Sequence, residues 1–121
     1  MALPLAGGYE LVDGGFATDT LVNIGGADLI WNNGVTFNTV VSGGLEVVEG
    51  QATGLTAGSA FGTTVDGGDQ IVFGIASGTT VNSGFEVVWS GGSGSDTVVG
   101  PGAEGPAFDF ILGAASGDVI T

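Results

Sequence analysis

Apolar and polar residues alternate in short runs that recur along the whole chain, and each run is opened by a pair of small residues. The pairs Gly7-Gly8, Gly25-Gly26, Gly43-Gly44, Gly67-Gly68, Ser83-Gly84 and Pro106-Ala107 stand 18, 18, 24, 16 and 23 residues apart. Each is followed by nearly the same strand: YELVD from Tyr9, ADLIW from Ala27, LEVVE from Leu45, DQIVF from Asp69, FEVVW from Phe85 and FDFIL from Phe108. A second strand closes each unit: TLVN at Thr20, TVVS at Thr39, TTVD at Thr63, TTVN at Thr79, TVVG at Thr97 and DVIT at Asp118. Alternation bounded by glycine predicts strands, and no stretch keeps the 3.6-residue period of a helix. Units this short cannot bury their own apolar face, so they must stack on one another.

One unit per coil, with coils ~4.8 Å apart, predicts an all-β, right-handed parallel β-solenoid of about six coils. Its handedness follows the bias of parallel crossovers. The solenoid is expected over residues 7–121, behind a short apolar segment at residues 1–6. Stacking turns equivalent positions into columns. Leu11, Leu29, Val47, Ile71, Val87 and Phe110 are expected to form one inward apolar ladder. Val22, Val41, Val65, Val81, Val99 and Ile120 form the second, on the return strand. Burial is expected above all of Val47, Ile71, Val87, Val65 and Val81.

Three further columns carry candidate chemistry. Glu10, Asp28, Glu46, Gln70, Glu86 and Asp109 are expected on the outward side of the first strand, where five carboxylates in register repel. Two readings stay open: a solvated face that blocks lateral aggregation, or a ladder that recruits divalent cations. Thr20, Thr39, Thr63, Thr79 and Thr97 read as a hydrogen-bonding ladder on a half-buried strand. An ice-binding array would need repeated Thr-X-Thr, which only Thr18 and Thr20 supply. Trp31, Phe73, Trp89 and Leu112 either close the end of the core or form an exposed strip for another chain. Insertions at 51–60 (QATGLTAGSA) and 100–105 (GPGAEG) lengthen the third and last coils and are expected to be loops.

Composition narrows the function. The 121 residues include 26 glycines and 13 acids but no Lys, Arg, His or Cys, for a formal charge of −13. Such a chain repels phosphate backbones and anionic lipid heads, so neither nucleic acid nor membrane insertion is expected. The usual general base, zinc ligand and thiol nucleophile are missing. No apolar run reaches the ~20 residues of a membrane span. The opening MALPLAGG lacks the basic and apolar regions of a standard secretory signal.

The GG-xxxVV and GG-x-A-x-x-T-x-V rhythm over roughly residues 7 to 100, clearest in GGLEVVEG, GGDQIVFGIASGTTVNSG and FEVVWSGG, resembles the AIDA-like adhesin-type repeats of bacterial autotransporter passenger domains. That resemblance implies an extracellular or cell-surface, non-enzymatic stalk or adhesin that binds a host or glycan surface. Residues 91–99 (GGSGSDTVV) are similar to the calcium nonapeptide GGxGxDxUx of the repeats-in-toxin proteins. The likeness implies a Ca²⁺ site drawing on Gly92, Gly94 and Asp96, with Asp118 equivalent to Asp96 in the partial copy GAASGDVIT. No other cofactor is expected.

Paired carboxylates alone would permit a glycosidase, but no pair stands out and no cation complements them, so an enzyme is not expected. Neither chain end reads as a polar cap: MALPLA is apolar and DVIT is a return strand. The leading expectation is therefore a structural protein that stacks head to tail into a filament or matrix fibre. Met1, Leu3 and Leu5 would meet Phe110, Val119, Ile120 and Thr121 of the next copy. The alternative is an adhesin or stalk fragment of a longer surface repeat protein, calcium-stabilised if the nonapeptide is a site.

Overall fold

The structure, a computed structural model, describes residues 3–5, 9–50, 57–100 and 107–120. All regular elements among them are strands. A strand β1 (Leu3–Leu5) comes first. Each coil then uses three strands: β2 (Tyr9–Asp13), β3 (Phe16–Thr18) and β4 (Thr20–Val22); then β5 (Ala27–Trp31), β6 (Val35–Phe37) and β7 (Val40–Val41). Next come β8 (Leu45–Val48), β9 (Ser59–Phe61) and β10 (Thr64–Val72), followed by β11 (Ile75–Ser77) and β12 (Thr80–Val88). The last are β13 (Ser93–Ser95), β14 (Val98–Val99), β15 (Ala107–Ile111), β16 (Ala114–Ser116) and β17 (Val119–Ile120). Strands β10 and β12 each close one coil and run on into the next.

Every strand pairing among the described residues is parallel, and equivalent residues of successive coils are in register. The chain is thus a parallel β-solenoid with three faces. The first carries β2, β5, β8, the later parts of β10 and β12, and β15. The second is the ladder β3–β6–β9–β11–β13–β16, and the third is β1–β4–β7–β10–β12–β14–β17. The second face is absent from the two-strand reading. Its strands (FAT, VTF, SAF, IAS, SGS, AAS) are three residues long and chemically mixed, so alternation does not reveal them. One of them, β9, begins in the stretch 51–60 expected to be a loop, and its Ala60 is part of the core. Residues 51–56 and 101–105 lie outside the described residues.

The register expected from sequence holds, but the first face is turned over. Val47, Ile71 and Val87 point outward and are only half-buried, while Val48, Val72 and Val88 are buried. A slip of one residue exchanges the two sides of a strand. The reason lies two residues along. Asp13, Trp31, Glu49, Phe73 and Trp89 share a side with Leu11, Leu29, Val47, Ile71 and Val87, and no narrow interior holds such a mixture. The uniform Val12, Ile30, Val48, Val72, Val88 column does fit, packed against Ala60 and Ala76 of the second face. The return-strand ladder is as expected: Val22, Val41, Val65, Val81 and Val99 are buried.

Turn geometry repeats as strictly as the strands. The residue before each buried threonine or its equivalent has positive φ: Asp19, Asn38, Gly62, Gly78, Asp96 and Gly117. Asp, Asn and Gly are the residues that tolerate this left-handed corner.

Candidate functional site

Turning over the first face carries its acids inside. Asp28, Glu46, Gln70 and Glu86 are fully buried, and the threonine column of the third face, Thr20, Thr39, Thr63, Thr79 and Thr97, is buried opposite them. The expected solvated acidic face is therefore an internal polar spine. It separates two apolar strips, the Val12-to-Val88 column on one side and the Val22-to-Val99 column on the other.

Threonine hydroxyls supply the donors. Thr20 Oγ1 donates to Glu10 Oε1 at 3.0 Å, Thr63 Oγ1 to Glu46 Oε1 at 3.0 Å, and Thr97 Oγ1 to Glu86 Oε1 at 2.7 Å. Thr79 Oγ1 donates to Gln70 Oε1 at 3.0 Å. Gln70 in turn donates from Nε2 to Glu46 Oε1 at 2.7 Å, linking one coil to the one before. Thr36, from the second face, makes a longer bond of 3.5 Å to Glu46 Oε2.

Donors run short, because the chain has no cation. Both Asp28 oxygens, Glu86 Oε2, Asp109 Oδ1, Thr39 Oγ1 and Trp31 Nε1 are buried without a well-formed hydrogen bond among the described residues. The Thr39 hydroxyl nevertheless lies near enough to Glu46 to favour its charged form. Burial dominates: it raises Asp28 to about 8, helped by the charges of Glu46 and Glu10, and it raises Glu46 despite the donors from Gln70 and Thr63. Burial likewise raises Glu86 to about 7, against the donor from Thr97, and Asp109 to about 6. At the first coil the spine borders a cavity of about 250 Å³ lined by Glu10, Phe16, Ala17 and Thr18. Of these carboxyls, Glu46 and Glu86 face threonine hydroxyls in a packed interior rather than an open cleft.

The nonapeptide is placed differently from the spine. Ser93–Ser95 is a ladder strand, so its backbone is engaged: the Ser95 carbonyl accepts from Gly78 N–H and the Gly92 carbonyl from Ala114 N–H. Gly92 and Gly94 are buried. Asp96 is an exposed left-handed corner residue in the same column as Asn38 and Gly62. Asp118 replaces the spine threonine in the last coil, and its Oδ1 accepts from the Thr97 N–H at 3.0 Å. The structure thus puts Asp96 at a corner and Asp118 at the spine, in different columns. Among the described residues no three acids converge in a metal-binding arrangement.

The residues expected at a joint fall at the two ends. Leu3–Leu5 pairs in parallel with Thr20–Val22 of the same chain, adding a rung to the third face. Phe110 and Val119 are exposed in the last coil, and the backbone of Val119–Ile120 pairs with Val98–Val99. Met1 and Thr121 lie outside the described residues. Along the side, Phe73, Trp89 and Leu112 are exposed rather than closing the core, with Leu112 61% exposed, while Trp31 is half-buried. Phe73 and Trp89 stack at 6.2 Å, and Phe85 stacks with Phe108 at 5.2 Å.

In the sequence the spine shows only as two columns, one mostly acidic and one of threonine, and alternation along a single strand carries no sign that they face each other. No family model matches the chain, and no curated protein matches it. Among solved structures the chain is similar to the crystal structure of a TibA fragment hyper-glycosylated by TibC, with a TM-score of 0.74 and 27% identity. The likeness covers 98% of this chain and 46% of that one, so the chain spans about half the length of the fragment it matches.

Proposed function

We propose that the chain is a segment of a bacterial surface repeat protein, an adhesin or stalk of the autotransporter-passenger type, displayed outside the cell and not an enzyme. The observation that carries this reading is the likeness of nearly the whole solenoid to the TibA fragment. The repeat rhythm shared with adhesin-type passenger repeats supports it independently. In this reading the spine and the two valine columns hold a rigid rod, and the outward apolar and hydroxyl-bearing faces meet the host or glycan surface. Among the described residues Ser90, Ser93 and Ser116 are exposed, and their hydroxyls are open to attachment of sugar, the modification named for the TibA fragment. Intact-mass measurement of the chain recovered from its own cells checks this.

Display of the chain on a non-adherent bacterium tests the function. Adherence to host cells or to arrayed glycans is expected, and its absence from both, with the fold intact, rejects the adhesin reading in favour of a bare spacer.

Head-to-tail assembly is the second reading, favoured by the last coil. Every residue of Ala114–Ser116 is exposed there, including Ala115, whose equivalents Ala60 and Ala76 are buried. A further coil, from a longer chain or from a second copy, would cover it. Sedimentation at high concentration, moderate salt and pH 5 separates the two, since only a filament grows under these conditions.

A further inference from the structure

Asp28 is wholly buried, and neither of its oxygens meets a donor among the described residues. Among the described residues the ionisable groups that face it are carboxyls only: Glu10 on β2 and Glu46 on β8, its two neighbours in the register of the first face. Across the interior, β4 and β6 present Thr20 and Thr36, and Thr39 stands just before β7. None of the three is ionisable, and Thr20 and Thr36 bond to Glu10 and Glu46 instead. No Lys, Arg or His exists in the chain to neutralise the group. An ionised carboxylate in this position is shut off from bulk solvent, has neither donor nor cation among the described residues, and has acids on both sides. A neutral carboxylic acid there becomes a donor to either neighbour.

We propose that the interior of the first three coils is a proton-binding site, in which the folded chain at neutral pH keeps a proton on Asp28, hydrogen-bonded to Glu10 or Glu46, and that this proton sets the stability of these coils. The direction of the effect follows from the position of the group. Burial and the two neighbouring acids raise Asp28 from 3.8 to about 8, so the folded chain binds the proton more tightly than the unfolded one. The stability that Asp28 contributes is complete below the unfolded value, declines as pH rises from there toward about 8, and changes no further above it. One proton changes the unfolding constant by about tenfold per pH unit across that window. The rod is firmest in acid and weakens toward mild alkali.

Chemical unfolding of the intact chain, followed by circular dichroism between pH 5 and pH 8, tests this with two variants. Asp28→Asn, which mimics the neutral acid, is expected to lose about tenfold per pH unit of the wild-type dependence and to be more stable than wild type at pH 8. Asp19→Asn removes an exposed carboxylate and is expected to keep the wild-type slope. Infrared spectroscopy of the wild-type chain at pH 7 gives a readout that survives even if Asp28→Asn does not fold: the C=O stretch of a protonated carboxylic acid is expected. A wild-type unfolding constant that is flat from pH 5 to pH 8, an Asp28→Asn slope equal to wild type, or the absence of that stretch overturns the proposal.

Discussion

Gln70 donates its side-chain amide to Glu46 across one coil step, at 2.7 Å, with both side chains fully buried. Gln70 is the one column member that is not an acid, and it is the one that brings donors of its own. It also accepts from Thr79, so it joins neighbouring coils by hydrogen bonds at the point where the carboxyl column is interrupted.

Gln70→Glu is therefore expected to destabilise the chain by about 3 kcal/mol at pH 7, because it replaces a donor to Glu46 by an acceptor and buries a further acid. The loss shrinks at pH 4, where the added carboxyl is protonated. Urea unfolding at the two pH values checks both the size and the sign.

Thr63→Val keeps the shape of a buried side chain but removes the hydroxyl that donates to Glu46. A loss of about 1–3 kcal/mol is expected. Thr64→Val, one residue on and half-buried on the outer side, should stay within about 0.5 kcal/mol of wild type. Equal effects at the two positions would contradict the assigned facing of the third face.

A second pair tests the facing of the first strand. Val72 is fully buried among Val48, Val88 and Ala76, whereas its neighbour Ile71 lies outward. Val72→Ala should cost about 2 kcal/mol or more through lost burial and a residual cavity. Ile71→Ala should cost less than about 1 kcal/mol, although the larger side chain is cut. Thermal melts of both variants decide it.

At the corners, Gly84 has φ +97 and packs so closely that an added Cβ would strike the Gly68 carbonyl. Gly91 has a similar φ of +92, yet a Cβ there meets nothing within 4 Å. Gly91→Ala should show only the conformational penalty, about 1 kcal/mol. Gly84→Ala adds the clash and should be clearly worse, as compared by urea midpoints.

Asp96 is open to a direct test of its role. As a left-handed corner residue it should accept Asp96→Gly with a change of no more than about 1 kcal/mol, with or without chelator. If calcium raises the melting temperature of the wild-type chain and Asp96→Gly abolishes that rise, the nonapeptide is a working ion site.

By itself, the repeat determined that the chain is a parallel β-solenoid and how its coils align. Glycine pairs and strand motifs recur often enough that only one stacking puts like residues together, and Val65 and Val81 lie inside as that stacking requires. Which side of the first strand faces inward was left to the tertiary structure. LEVV and DQIV carry apolar residues on both sides, and the usual preference to expose acids selects the wrong one. The choice is made across the interior, where the second face supplies small side chains for the Val72 column and the third face supplies threonine hydroxyls for Glu46 and Glu86. Glu46 and Glu86 lie inside with donors opposite them, and a one-strand pattern has no information about what stands on the other side.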